Sequence, residues 1–429
     1  GAGAGVDASH PEGVTVGPTG GLTPFDLATA YGYNPLTNAQ SQTVAIVDAY
    51  DDPTIESDLQ KFDAYYGLLS CTTANGCFGK VNQEGAASPL PRPSLAWSGE
   101  IALDVEVVHA VCESCHILLV EADDSSDANL EAAVDEAAQM GATEISNSYG
   151  GAIVPTAADL AAYDHPGIVI TAGAGDDGYD SYDLWPLHAN AAVPYFPAAA
   201  ATVVAVGGTT LRLTAVGTRA RETVWNDNGA DDLWQRLLLG FPFNATGGGC
   251  STTIPAPAWQ SELASWPDTG CGPYRLSADI ASDADYLTGF DVYDTTGWFG
   301  WSTVGGTSLS TPTIAAMFAL AGGAHGVAYP ASTLYAHLSG ADALYDVTAG
   351  GNGYCGGLAA QLCGDVNGPQ LGQRDCDFNT AGTSPAPGEL ACDAAPGYDG
   401  PTGVGTPDGL AAFSPPVGLA PSVIALRRR

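Results

Sequence analysis

The sequence predicts an α/β fold, a doubly wound and mainly parallel sheet flanked by helices in one large domain. Two observations carry this. Short apolar runs at Thr43–Val47, Ile117–Val120, Ile168–Thr171 and Thr202–Val206 read as strands buried on both faces. Helical patterns at Glu56–Tyr66, Gly99–Val111 and Ala128–Met140 fall between them, and strands alternating with such helices build a parallel sheet. Ile314–Ala321 opens one more apolar helix. From Val216 to Thr295 the chain is rich in Trp, Gly and Asn and reads as loops and insertions. Gly350–Gly405 is rich in Gly, Pro, Asp and Cys with little periodicity, so disulfides or an ion must hold it. No internal repeat is visible. Residues 1–21 read as an N-terminal tail and 414–429 as a C-terminal one.

Charge and cysteines narrow the class. The 429 residues carry 12 Lys+Arg against 48 Asp+Glu, a net charge of −36, which repels nucleic acid and anionic membranes. Near pH 4 many of these carboxylates take up protons and the self-repulsion falls, so an acidic medium suits the chain, as does a high-salt one. No apolar run approaches the roughly 20 residues that span a bilayer. The ten cysteines form short-range couples: Cys71/Cys77, Cys112/Cys115, Cys250/Cys271, Cys355/Cys363 and Cys376/Cys392. Five local disulfides place the chain in an oxidising compartment, and extracellular secretion is the expectation. Cys112 and Cys115 form a C-x-x-C that could serve redox or metal chemistry. With no second such motif, and only His116 beside it, a structural bridge is preferred. Asn244-Ala245-Thr246 is a glycosylation sequon.

Three segments could carry chemistry. Gly306-Thr307-Ser308-Leu309-Ser310-Thr311-Pro312 places a serine in a small-residue turn ahead of an apolar helix, where backbone N–H groups can stabilise negative charge. The same pattern serves as a plain helix cap. A serine needs a base, and none of the seven histidines sits in a Gly-rich helix start that would present an imidazole. Glu100 and Asp104, four apart in an otherwise apolar helical stretch, lie on one face and would share protons as a pair. The competing reading is a solvated acidic face. Asp176, in Ala172-Gly173-Ala174-Gly175-Asp176-Asp177-Gly178 after a predicted strand, could donate a hydrogen bond to an oxyanion if protonated. Otherwise it belongs to an Asp-Gly turn.

Gly-Glu-x-x-x-Asp, Ala-Gly-Asp-x-Gly and Gly-Thr-Ser-x-x-x-Pro, in that order, resemble the sedolisin family of serine-carboxyl peptidases. The resemblance runs from Leu22-Thr23-Pro24-Phe25-Asp26-Leu27 to Gly405-Thr406-Pro407. It implies a subtilisin-like fold over a peptidase domain at 22–413 and endopeptidase activity at acid pH. By the same resemblance Ser308 is the nucleophile, Glu100 its general base and Asp104 the carboxylate that orients Glu100. Asp176 is the oxyanion-hole acid, with Asp177 where relatives often carry Ser. Asp48 falls where some members extend the relay. Ser148, Tyr149 and Gly150 match the extended substrate-binding segment. Tyr195 stands where relatives that prefer basic residues carry Asp, which points to an apolar or aromatic pocket.

The resemblance also implies one calcium ion in the region of about 342–405. Asp346 and Asp399 would give carboxylate oxygens, and Val347, Ala395 and Gly397 backbone carbonyls. Five hard oxygens plus water suit calcium. Family members carry a large prosegment, so a cleaved zymogen, acting as a monomer on protein or peptide substrates, is the expectation. Two other readings are a subtilisin-type peptidase active near neutral pH and a catalytically inactive binding or surface protein on the same fold.

Overall fold

A strand covered on both faces must be apolar on both, and Val44, Ala45, Ile46 and Val47 are all fully buried. In the computed structural model, which describes residues 17–181, 193–227, 244–338, 343–353 and 390–416, they form the middle of the main sheet.

The helices are α1 (Pro24–Tyr31), α2 (Ile55–Tyr66), α3 (Leu95–Val111), α4 (Asp127–Gln139), α5 (Ala157–Ala162), α6 (Ala258–Ser261), α7 (Trp266–Thr269), α8 (Thr307–Ala321) and α9 (Ala331–Tyr335). The first strands are β1 (Thr43–Ala49), β2 (Phe78–Asn82), β3 (His116–Ala122), β4 (Glu144–Asn147), β5 (Val169–Gly173), β6 (Asp177–Tyr179) and β7 (Val204–Leu213). They are followed by β8 (Arg219–Val224), β9 (Ala245–Pro255), β10 (Tyr274–Ser277), β11 (Ile280–Asp283), β12 (Phe290–Asp294), β13 (Gly300–Val304), β14 (Leu344–Tyr345) and β15 (Thr406–Pro407).

The main sheet runs β11-β7-β5-β4-β1-β3-β2, and every neighbour in that path is parallel. Only β8 is antiparallel, against β7. The doubly wound sheet predicted from the sequence is therefore present. Chain order reverses at β1, which has β3 on one side and β4 on the other. Open α/β sheets bind ligands at such a switch point, beyond the carboxyl ends of the strands.

One layer of core packs α1, α2, α3 and α8 on one face of the sheet, and the other packs α4 and α5 on the opposite face. Both α3 and α8 are apolar almost all round, which is why they are enclosed rather than riding on the surface. Helix α1 begins with a capping box, Thr23 bonding the Asp26 N–H and Asp26 the Thr23 N–H, a feature that stabilises a helix start by about 1 kcal/mol. Upstream of it, the buried Asp291 carboxylate accepts the N–H groups of Thr19 at 2.6 Å and Gly21 at 3.1 Å, tying residues 17–21 to β12.

The Val216–Thr295 stretch departs from its reading as loops and insertions. It contributes β11 to the main sheet, β8 to its antiparallel extension and β9 and β10 to a second sheet with β6. The signal is masked because β9 is glycine-rich for packing reasons: a Cβ at Gly247 would lie 1.9 Å from the Ala174 carbonyl.

Three of the expected disulfides are present, Cys71–Cys77, Cys112–Cys115 and Cys250–Cys271, so the C-x-x-C is a bridge. Cys392 is also disulfide-bonded, while Cys355, Cys363 and Cys376 lie outside the described residues. No helix among the described residues is long and apolar enough to cross a membrane.

Candidate active site

Strand β13 hands over to α8 through Gly305 and Gly306, and neither position has room for a side chain. A Cβ at Gly305 would lie 2.5 Å from the Ala284 carbonyl, and one at Gly306 would lie 2.7 Å from Asp176 Oδ2. Gly306 also holds φ at 86°, a left-handed angle that suits glycine. Ser308 thus sits in the first turn of a helix, at the positive end of its dipole. Pro312, inside α8, has no N–H to return to the Ser308 carbonyl. That carbonyl instead faces the Ser148 hydroxyl at 3.4 Å.

Glu100 and Asp104 lie one turn apart on α3, as their spacing predicts. Glu100 engages the Ser308 hydroxyl, an interaction that pulls its pKa down. Burial outweighs it, and the Asp176 charge adds to burial, so Glu100 is pushed up to about 7. Asp104 is fully buried; Ser148 donates to its Oδ1 at 2.8 Å, and its Oδ2 has no partner. Burial raises Asp104 well above the carboxylate range, reinforced by Asp48 and Glu100. Asp48, near the end of β1, is equally buried with neither oxygen paired; burial raises it, as do Glu100 and Glu121. Three neighbouring carboxyls, Asp48 and Asp104 fully buried and Glu100 partly so, cannot all ionise, so they hold protons in common.

Asp176 follows β5 and approaches from the opposite side. Its Oδ1 accepts the Thr307 N–H at 2.8 Å and hydroxyl at 2.9 Å. Oδ2 is left beside Gly306, and any proton the acid keeps falls there. Burial pushes Asp176 up to about 6 against those two hydrogen bonds. Asp48, Ser148 and Asp176 all stand at or just beyond the carboxyl ends of parallel strands, on the edge the switch point marks.

Of the expected substrate segment, Gly150 lies against the ring of Tyr195, which also covers Gly175; a Cβ at Gly175 would come within 2.7 Å of that ring. The Tyr195 hydroxyl donates to Asp177. Tyr149 turns inward, donating to Asn147 Oδ1 at 2.8 Å and meeting Tyr163, so its side chain is part of the core beside the cleft.

Sequence reasoning gave Ser148 to the substrate segment and left Glu121 and Tyr286 unplaced. Ser148 bonds Asp104 directly. Glu121 is paired in register with Asp48 and buried beside it, and Lys80 lies 3.5 Å from its carboxylate. The Tyr286 hydroxyl reaches the same place over Gly306 as Asp176 Oδ2, and the charges of Asp176 and Glu100 add to burial in raising it. The trace of this cluster in the sequence is Asp48, a single acid in the apolar run of β1. No described histidine joins it; His109, also on α3, faces Asp63 at 3.3 Å and the Leu69 carbonyl at 2.7 Å.

The two halves of the expected calcium region also meet. Both oxygens of Asp346 accept the Gly397 N–H, at 3.2 and 3.0 Å. Asp399 accepts the N–H of Ala395 at 3.1 Å and of Thr402 at 2.9 Å. Burial pushes Asp399 up to about 8 and also raises Asp346, whose charge further raises Asp399. Two carboxylates thus meet here, held by backbone N–H groups and, among the described residues, bonded to no basic side chain; their oxygens are of the kind a hard cation takes. Separately, carboxylate oxygens of the buried Asp52, Asp58 and Asp294 lie within 4.8 Å of one another.

A doubly wound sheet with a serine in the first turn of a buried helix, faced by carboxylates at the strand ends, defines the subtilisin-like class. The chain belongs to the subtilase family, whose sequence profile matches residues 85–350. It is 28% identical to sedolisin of Pseudomonas sp. (strain 101) over 82% of its length, and 31% identical to kumamolisin of Bacillus sp. (strain MN-32) over 77%. It spans 59% and 57% of those two proteins, somewhat over half of each. The solved structure of Pseudomonas sedolisin, a serine-carboxyl proteinase complexed with pseudo-iodotyrostatin, aligns over 91% of this chain and 96% of that one. The TM-score is 0.66 at 24% identity, which establishes the shared fold. The resemblance read from the three motifs is thereby borne out.

Proposed function

We propose that this chain is a secreted, acid-active serine-carboxyl endopeptidase. The observation that carries the reading is the contact of the Ser308 hydroxyl with Glu100, a carboxyl backed by other carboxyls and, among the described residues, by no imidazole. In this reading the Ser308 proton passes to Glu100 as Oγ bonds to the scissile carbonyl carbon. The form of the Asp48–Glu100–Asp104 trio that is one proton short supplies the base, and Asp104 takes up part of the charge change. The Ser308 N–H and a proton on Asp176 Oδ2 hold the oxyanion. Glu100 then gives its proton to the leaving amine as the C–N bond breaks. Water hydrolyses the acyl-enzyme by the reverse roles.

Substrates are unfolded proteins or peptides, with Gly150 and Tyr195 bordering the acyl side of the cleft. The catalytic unit is taken as 22–413, acting as a monomer after release of a prosegment. The disulfides suit an oxidising, extracellular medium. Asp346 and Asp399, with the carbonyls of Val347, Ala395 and Gly397, would hold a calcium ion that neutralises the two carboxylates and fixes this irregular region.

The test is labelling and turnover together. Below about pH 5, where free carboxyls titrate, a fluorophosphonate should label Ser308 and the protein should cleave denatured casein. Ser308→Ala should lose both while keeping the wild-type circular dichroism. Labelling elsewhere, or cleavage by that variant, rejects the serine. An imidazole-based peptidase would instead gain activity toward neutral pH, and an inactive relic would show neither signal.

A further inference from the structure

The loop joining β12 to β13 stands beside the catalytic helix and is built to be rigid. Asp294, fully buried, accepts the N–H of Thr296 at 2.8 Å and those of Gly297 and Trp298 at 2.9 Å each. Asp58 accepts the Thr295 N–H at 2.9 Å, and the Thr54 and Thr296 hydroxyls meet at 2.7 Å. Gly297 fits only as glycine, since a Cβ would lie 2.6 Å from both the Leu95 carbonyl and the Ser98 hydroxyl. Yet this braced tip exposes its aromatic groups. Phe299 is 80% exposed on a left-handed backbone with φ of 60°, and Trp298 is 37% exposed. Leu95, across the gap, is 67% exposed. A Phe299 ring held in water beside a partly exposed Trp298 is costly to arrange and gains little from the core.

Their position relative to the chemistry is fixed by Gly99. The indole of Trp298 lies directly on it: a Cβ there would be 2.5 Å from Cζ2 and 2.6 Å from Cε2. The next residue is Glu100, the group that, on the function proposed above, returns a proton to the leaving amine. On that role the amine emerges on the flank of α3 at Gly99, in its second turn, and the residues following it pass the Trp298–Phe299 tip.

We infer that Trp298 and Phe299, with Leu95, form an apolar wall for the leaving-group half of the substrate and favour an apolar side chain just beyond the scissile bond. This rests on the proposed role of Glu100. The occupant is a substrate polypeptide, because Trp298 is seated on Gly99, the neighbour of the residue that protonates the leaving amine.

The test uses quenched peptides with one common acyl half and a leaving-group residue that is either apolar (Leu, Phe) or polar (Ser, Asn). The full chain is assayed at acid pH and corrected for active sites with the serine label. Wild type should favour the apolar set about tenfold or more in kcat/KM, the scale of one well-placed apolar contact. Trp298→Ala and Phe299→Ser should each bring the ratio most of the way to one. Val216→Ser, at a distant exposed site, should keep it. Phe299 supports little of the fold, so its variant decides the matter if Trp298→Ala fails to fold. Equal loss on both peptide sets, or an unchanged ratio, overturns the inference. So does self-association in sedimentation that Phe299→Ser abolishes, which would assign the patch to a second copy. Should wild type cleave nothing and Ser308 stay unlabelled, the peptidase reading fails by itself. Anisotropy binding of the same peptides to Ser308→Ala then decides separately: apolar selectivity that Phe299→Ser removes keeps the wall, and its absence ends it.

Discussion

Ser148 and Asp104, 44 residues apart in sequence, are joined by a 2.8 Å hydrogen bond that is, among the described residues, the one hydrogen bond of the buried Asp104 carboxyl. The bond stabilises the charged form of Asp104 against burial. Ser148→Ala should raise the Asp104 pKa further and leave an acceptor unpaired in a dry pocket. Hydrogen bonds to charged groups are worth about 1.5–3 kcal/mol, so kcat should fall roughly 10- to 100-fold. The acid limb of the kcat profile should move to higher pH, because fewer molecules carry the one-proton-short trio at a given pH. Ser148→Thr keeps the hydroxyl and should recover most of the rate. A uniform loss with no movement of the limb would leave Ser148 as packing alone.

On the proposed mechanism Asp176 sets the alkaline limit. It must be protonated to donate to an oxyanion, and its pKa is pushed up to about 6. Activity should therefore be retained below that value and lost as pH rises through it. Asp176→Asn substitutes an amide donor that does not titrate in this range, so it should work more slowly and shift the alkaline limb upward. Asp176→Ala should lose about 100- to 1000-fold in kcat, the scale of removing one oxyanion donor. Full pH profiles of the three proteins on one peptide make the comparison.

What was legible beforehand follows from which forces leave a local trace. Val44–Val47 and Ile117–Val120 announce themselves because strands buried on both faces need unbroken apolar runs. Glu100 and Asp104 stand out because a carboxylate in an apolar helix is expensive. By contrast, β9 hides behind Gly247 and Gly248, chosen for close backbone approach, and β11 is only Ile280–Asp283 with two polar residues among four. The Ser148–Asp104 bond and the Asp52–Asp58–Asp294 cluster join distant segments, so residue types alone could not have paired them. Tyr149 shows the converse: its motif position pointed to the cleft, while its hydroxyl satisfies Asn147 in the interior.

The region around Asp346 and Asp399 should depend on a cation. Among the described residues no basic side chain offsets their mutual repulsion, and bound calcium would stabilise the fold in proportion to its occupancy. Adding EGTA at pH 6 should lower Tm by several degrees, reversed by excess calcium. Asp346→Asn should start from the lower Tm and lose its response to the chelator. A wild-type Tm indifferent to EGTA, with no calcium found by elemental analysis, would rule the site out.

A last prediction concerns stability at the end of the sheet away from the cleft. Glu144, at the start of β4, is fully buried, and burial pushes it up to about 8 although Thr143 donates to it. Its Oε1 and the Oε1 of Gln42 are both unpaired, and both lie near Gly323, 3.1 and 2.8 Å from where a Cβ would stand. A proton on Glu144 supplies a donor between two acceptors; an ionised Glu144 supplies none. The unfolded chain gives up this proton near pH 4, so the folded state binds more protons at every pH from there to about 8, and stability falls across that window. The contribution is fully present below pH 4 and lost as pH rises through 8. Glu144→Gln places an amide donor at the same point at all pH values. Its Tm should match wild type at pH 4 and exceed it at pH 7, flattening the profile. A variant equally destabilised at both pH values would mean that the carboxyl acts through shape, and that its proton is irrelevant.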